Sequence, residues 1–231
     1  MNNKRNKMES RDASLCESFA LSQDIQPIEL PRPVLDRKKS IGKALQQRRT
    51  TREISDKKIT LQVLSNLLWA ANGVNRKIGP FGIPGRTAAS ASNSQEIDLY
   101  VAMQEGIYLY DAFQHKLAPV VAGDLRALAI GPGQAHFAAK APVQIIYIAD
   151  IFKLSNTSGY QEPGLQIPEI QKSYYYVDTG IIAGNVYLFA ASQGLASWFH
   201  NCNITGLAAK LNLRADQRIL FGQTVGYSAK K

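Results

Sequence analysis

The sequence predicts an α+β domain. Two helical stretches come first, a run of β-segments with short polar turns follows, and an almost wholly apolar helix and a closing strand end the chain. Its 231 residues suffice for one domain with a real core, or at most two small ones, and 45% hydrophobic with 19% charged residues fits a globular chain.

Each element has its own signal. From Ser40 the pattern becomes helical, with Ile41, Ala44 and Leu45 on one face and an end near Arg48-Arg49. Leu61, Leu64, Leu67, Leu68 and Ala71 repeat that spacing, with Thr60 as N-cap and Gly73 at the C-cap position. Trp69, beside Leu68, reads as core. Residues 75–90 hold a Gly/Pro-rich loop long enough to suspect function. Residues 97–102, 106–110 and 115–121 read as β-segments, 124–129 as a short helix, and 141–149 as a buried strand rich in Val, Ile and Tyr. Residues 174–193 form a helix apolar nearly all round, as expected in a domain centre or a subunit interface, and Gly180 and Gly184 would admit a second helix. A short helix over 206–211 and a strand over 218–227 complete the series.

Residues 1–37 look different: a loose leader, either disordered or a degenerate export segment, ahead of a domain spanning 38–231. Met1 to Met8 is polar and basic, and Gln26 to Pro33 is a proline-punctuated extended piece. A secretory signal needs an apolar stretch, which Glu9, Arg11, Asp12 and Glu17 interrupt. The expected location is cytoplasmic, the alternative being export should residues 1–23 act as a signal segment.

Composition excludes several classes. No apolar run approaches the roughly 20 residues of a membrane span. Two cysteines make no disulfide framework, and three scattered histidines give no metal-ligand spacing, so no metal is expected. The net charge of +9 invites a nucleic-acid reading, but residues 1–52 carry twelve Lys/Arg against six Asp/Glu, so the excess sits in the N-terminal quarter and no nucleic-acid partner is expected.

Two segments could carry chemistry. Arg48, Arg49 and Arg52 put three guanidiniums in five residues, which repel unless an anion or carboxylates neutralise them, and Thr50 and Thr51 add donors. The bland alternative is a solvated charge run at a helix end. The run 88–96 is small and polar. It would let a flat ligand approach the backbone, with Asn93 and Gln95 offering amides to a heterocycle edge; alone it equally suits a serine-rich turn.

Taken together, Arg48-Arg-Thr-x-Arg52, Leu67-Leu-Trp-Ala-Ala-Asn-Gly73, and Arg86-Thr with Ser90-Ala-Ser-Asn-Ser-Gln95 resemble the FMN-dependent nitroreductase family. Gly106-Ile-Tyr-Leu-Tyr-Asp111 resembles a strand of its thiazoline/oxazoline-oxidase-like branch. Asp178-x-Gly180-x-x-x-x-Asn185, Gly194-Leu-Ala-Ser197 and Val225-Gly-Tyr227 resemble the family's central helix, its exit and its closing strand. The likeness covers roughly residues 38–228. It implies a nitroreductase-like α+β fold, a central mostly antiparallel sheet flanked by helices, forming a homodimer with FMN in the interface. By position, Arg48, Arg49, Thr50 and Arg52 would hold the FMN phosphate and ribityl chain. Ser90, Ser92, Asn93 and Gln95 would reach the flavin from the other subunit, and Asn201 and Cys202 would place backbone amides near flavin N5. Ala89 replaces the usual proline of the Asn loop, and the stretch around 200–202 departs from the family's glycine-rich versions.

The implied function is an NAD(P)H-dependent FMN oxidoreductase, passing hydride or electrons by ping-pong transfer to a small nitro- or quinone-like acceptor. Alternatives are a thiazoline/oxazoline-dehydrogenase-like oxidase and a non-catalytic flavin-binding module. The chemistry resides in the flavin, so no catalytic side chain is assigned. Cys202 reads as a buried structural cysteine and His200 as a packed or surface histidine with a substrate contact as the rival. Trp198-Phe199 would pack under the flavin or in the interface. Residues 153–172 are expected to lie over the flavin, next to the 88–95 loop.

Overall fold

The computed structural model describes residues 25–157 and 163–229, apart from positions 35 and 37. Strand β1 (Ile28–Glu29) opens it, and helices α1 (Ile41–Gln47) and α2 (Leu61–Asn72) follow. Both helices start where their caps place them: Ser40 Oγ accepts from the Lys43 amide, and Thr60 Oγ1 from the Val63 amide. The Gly/Pro-rich stretch folds into a small hairpin of β2 (Val74–Arg76) and β3 (Gly85–Arg86). Then come β4 (Ile97–Ala102), β5 (Gly106–Asp111) and β6 (Lys116–Ala122), a 3-10 turn at Arg126–Ala129 where a short helix was expected, and β7 (Val143–Asp150). Helix α3 (Ile151–Ser155), the long α4 (Pro168–Gln193), β8 (Ala196–His200), α5 (Ile204–Leu211) and β9 (Gln217–Gly226) end the series.

Seven strands form one sheet in the order β1-β6-β5-β4-β7-β9-β8, every pair antiparallel. The α+β reading and the helix-flanked antiparallel sheet are therefore what the chain adopts. Central β7 is buried at every residue, as its apolar run over Ile145–Ala149 requires, and its one charge, Asp150, is paired with Arg214 at the strand end. Period-2 alternation sorts the side chains. Leu99, Val101, Ile145 and Tyr147 face α2 and α4, packing with Leu64, Leu67, Leu68 and Val186. Tyr100, Ile146 and Ile148 face the other side and pack with Leu207 and Leu211 of α5. Each fully buried aliphatic side chain contributes about 1.5–3 kcal/mol.

Several details differ from expectation. Gly73 has extended backbone (φ −77°), so a left-handed cap is not why glycine stands there. A Cβ would lie 2.5 Å from Trp69 Cδ1 and 2.7 Å from Trp69 backbone; the position needs space. Trp69 itself is half-buried, its Nε1 donating to the Val74 carbonyl. The proline-punctuated piece grouped with the leader packs on the body: Ile25 and Leu30 are buried, β1 pairs with β6, and Ser65 Oγ donates to the Pro31 carbonyl. Residues 1–24 lie outside the described residues. No helix among the described residues is long and apolar enough to cross a membrane.

Candidate functional site

The arginine motif is laid along the β8–β9 edge of the sheet. The Thr51 amide donates to the Ser197 carbonyl (3.0 Å), Ile54 bridges Ser228, and the Ser55 amide donates to the Tyr227 carbonyl (2.8 Å). These bonds fix the backbone and leave the side chains free to point outward. Arg48, Arg49, Thr50 and Arg52 are all exposed, and among the described residues the three arginines form no ion pair. Arg48 lies over the Tyr187 ring (5.5 Å) and Arg52 over Trp198 (6.0 Å). Thr50 Oγ1 and Tyr187 Oη share a hydrogen bond of 3.1 Å, and the same phenol oxygen accepts from the Phe199 amide (2.9 Å). Arg48, Arg49, Thr51, Tyr187 and Ser197 line a largely polar cavity of about 490 Å³, within the usual range of about 300–1,000 Å³ for small-ligand sites. Helices α1 and α4 both end here, and their carbonyl ends disfavour an anion by roughly half a charge each. The Arg48 and Arg49 guanidiniums outweigh that, so the cavity's sign is positive; Thr50 and Arg52 stand outside its lining.

The second predicted segment is built differently. Ser92, Asn93 and Gln95 have φ of 50°, 54° and 53°, a left-handed conformation that costs a non-glycine residue about 1–2 kcal/mol. The loop's own hydrogen bonds hold it there. Ser90 Oγ accepts from the Gln95 amide (3.0 Å), and Gln95 Nε2 donates to the Pro84 carbonyl (2.7 Å) and to Asn93 Oδ1 (3.0 Å). Asn93 Nδ2 donates to the Pro80 carbonyl (3.3 Å), and Arg86 Nε donates to Gln95 Oε1 (2.7 Å). The polar side chains singled out in this loop thus chiefly shape it. Its outer side lines a cavity of about 340 Å³ with Arg86, Asn93, Gln95, Phe113, Phe152 and Asn156. Thr157 Oγ1 donates to the Ser92 carbonyl (3.2 Å), so the described start of the 153–172 segment does lie beside the 88–95 loop; residues 158–162 lie outside the described residues.

The two segments are not brought together within one chain. Their cavities share no lining residue. Helix α4 separates them: Asp178 Oδ2 accepts from the Ala91 amide (2.9 Å) at the loop, and Tyr187 stands at the arginines, nine residues or about 14 Å further along the helix. Along this stretch, from Val177 on, α4 presents Val177, Gly180 and Ile181 to the surface, and apart from chain neighbours and the helix's own backbone nothing lies within 4 Å of where a Cβ at Gly180 or Gly184 would sit. Ile41 and Leu45 of α1 are also exposed, although the sequence puts them on its apolar face.

The third predicted stretch follows β8. Asn201 is exposed, but the Cys202 side chain is buried among Tyr100, Ile146 and Leu207, and burial pushes its thiol up to about 12. Any contact from Cys202 to a ligand is left to its backbone. His200 is packed: Nε2 bonds Thr224 Oγ1 (2.8 Å), and burial lowers its pKa to about 4. Trp198 is buried against Phe137 in an edge-on contact (5.8 Å), under the sheet and not at the surface of α4. Sequence reading missed Tyr187 and Ser197 as walls of the arginine cavity, and Glu96 behind the loop. Glu96 carried one signal, a charge at the threshold of an apolar strand.

Residues 45–227 match the sequence pattern of the nitroreductase family. A candidate nitroreductase of Methanocaldococcus jannaschii is 29% identical over 158 residues, 65% of this chain and 73% of that protein. The crystal structure of a candidate nitroreductase from Ralstonia eutropha JMP134 superposes with a TM-score of 0.77 at 31% identity, covering 92% of this chain and 94% of the other. A chain of the Escherichia coli microcin synthetase McbBCD complex shares the fold, with a TM-score of 0.63 at 17% identity over 78% of this chain and 68% of the other.

Proposed function

The chain belongs to the nitroreductase family, and on that premise we propose that it is an FMN-dependent oxidoreductase acting as a homodimer. The observation that carries the reading is the positive cavity walled by Arg48, Arg49 and Thr51. Its arginines have no carboxylate partner among the described residues. That donor set fits a dianionic phosphate on a polyol chain: planar forks grip phosphate oxygens, and the Thr50 hydroxyl and Tyr187 phenol suit the ribityl hydroxyls. When bound, FMN would supply hydride transfer at N5 from NADH or NADPH to a small organic acceptor, nitro- or quinone-like, one substrate leaving before the next enters.

The chain's own residues bind and orient. Arg48, Arg49 and Arg52 hold the phosphate, and their charge offsets the α1 and α4 carbonyl ends. The loop 90–95, pre-shaped by Gln95 and Asn93, offers its outer surface to the ring held by a second copy. The exposed Val177, Gly180 and Ile181, with half-buried Gly184, support this pairing, because two small residues four apart allow close helix approach. Asn201 and the Cys202 backbone complete the site from the end of β8. The expected setting is cytoplasmic. The tyrosine strand gives the oxidase alternative no further support, since Tyr108 and Tyr110 are buried and Tyr110 Oη bonds His115 Nδ1 (3.0 Å).

The test is a fluorescence titration of full-length protein with FMN, alongside riboflavin, which lacks the phosphate. Tight, saturable FMN binding with much weaker riboflavin binding is expected. Equal affinity for both would remove the arginine cavity from the account.

A further inference from the structure

Behind the 90–95 loop, two carboxyls meet in the protein interior. Glu96, between the loop and β4, is fully buried, and Asp178 of α4 is buried against it. Glu96 Oε2 accepts from Ser94 Oγ (2.6 Å), but Oε1 is buried and meets no N–H or hydroxyl donor; among the described residues it is the one buried side-chain oxygen or nitrogen in that position. What faces it is the Asp178 carboxyl, which already accepts from the Ala91 amide. Two acceptors face to face require one proton between them.

Among the described residues no cation is paired with either carboxyl. On the β3 side, Arg86 is turned to Gln95 Oε1 and to the Asn72 carbonyl. On the β7 side, Asp150 is taken up by Arg214 (2.8 Å) and Lys153 (3.9 Å), and Lys153 also binds Asp98 (2.5 Å). On α2, Asn72 Nδ2 donates to the Ile97 carbonyl. An unshared second charge here would have no compensation, and the strained loop is anchored to both carboxyls, through Ala91 to one and Ser94 to the other.

We propose that Glu96 and Asp178 are positioning residues, a proton-sharing carboxyl pair that pins the 90–95 loop to α4 and so sets the loop's ligand-facing shape. That this shape serves FMN rests on the function proposed above; the pinning itself does not. Neutral Glu96 donates through Oε1 to the Asp178 carboxylate, leaving a single negative charge. Burial and Asp178 together push Glu96 up to about 8. Its folded-state pKa is thus above the unfolded value, so the pair's contribution is fully present at low pH and is lost as pH rises through about 8.

Hydrogen exchange of full-length protein, without added ligand, reads the pinning directly. Protection of the 88–96 segment, corrected for intrinsic exchange, should fall in the wild type by up to about tenfold per pH unit from the ordinary carboxylate range up to about pH 8, and level off above it. In Glu96→Gln, whose amide donates to Asp178 at any pH, it should stay level. Asp178→Asn, the second variant should the first fold poorly, should show a shallower fall, since its amide supplies the missing donor to Glu96 and removes the carboxylate beside it, while burial of Glu96 stays. Parallel pH profiles in the wild type and the neutral variants would overturn the proposal. FMN affinity measured across the same pH range then tests the functional step: it should weaken above about pH 8 in the wild type only. Absence of FMN binding at every pH, with the exchange difference intact, would sink the flavin reading and leave the pair standing.

Discussion

The arginine segment and the 90–95 loop look alike as polar, flexible-reading sequence, yet the structure treats them in opposite ways. The arginine segment is held by its backbone and by ring contacts of Arg48 and Arg52, and the three charged heads have no ion-pair partner among the described residues. In the loop, the Ser90, Asn93 and Gln95 side chains are already bonded to the loop and its neighbours. The first region has donor capacity waiting for a ligand; the second has spent its capacity on holding three left-handed residues in place. A polar residue in a binding segment can therefore act as a contact or as a former, and only its hydrogen-bond partners tell which.

If the two regions complete one site across two copies, the largest effect comes from a residue in neither. Gly180→Leu meets open space within one chain and gains up to about 1 kcal/mol of helix propensity. It should stabilise the isolated chain yet block the close approach of a second α4. Sedimentation should show monomers, and bound flavin should vanish. A dimeric, flavin-loaded Gly180→Leu would break the comparison. Next, Arg48→Ala and Arg49→Ala should each weaken FMN binding about ten- to a hundredfold, the worth of a charged hydrogen bond, while Tm stays where it was.

Gln95→Ala should show the reverse pattern. It removes bonds to Arg86, Pro84 and Asn93, a loss of about 1–2 kcal/mol, and Tm should fall by about 2–8 °C. A calorimetric scan that left Gln95→Ala as stable as the wild type would put its side chain among the contacts instead. The smallest effect is expected at Cys202. Its buried thiol, with a pKa raised to about 12, should resist iodoacetamide in native protein at pH 8, as peptide mass mapping would read.

How far the sequence announced this depended on whether a residue's surroundings matched its type. Helix α2 and strands β4, β5 and β7 were legible because each has a clear apolar face or is buried on both. Strand β8 was not, because Ser197 and His200 are buried polar residues bonded to Gln223 and Thr224, so its alternation reads as surface. Helix α4 begins six residues before its apolar pattern, at Pro168, since its first turns carry the exposed Lys172 and Ser173. The family was legible from motif order, and the same order singled out the arginine segment and the 90–95 loop. The division of labour inside them, and the Glu96–Asp178 pair, depend on contacts between residues 82 positions apart.

The most direct measurement is the absorbance spectrum of the purified full-length protein, reconstituted with FMN and then given NADH or NADPH without oxygen. The account predicts flavin bands that bleach with one of the two nucleotides and return when a quinone or nitroaromatic acceptor is added. A protein that stays colourless after incubation with FMN and desalting would contradict it.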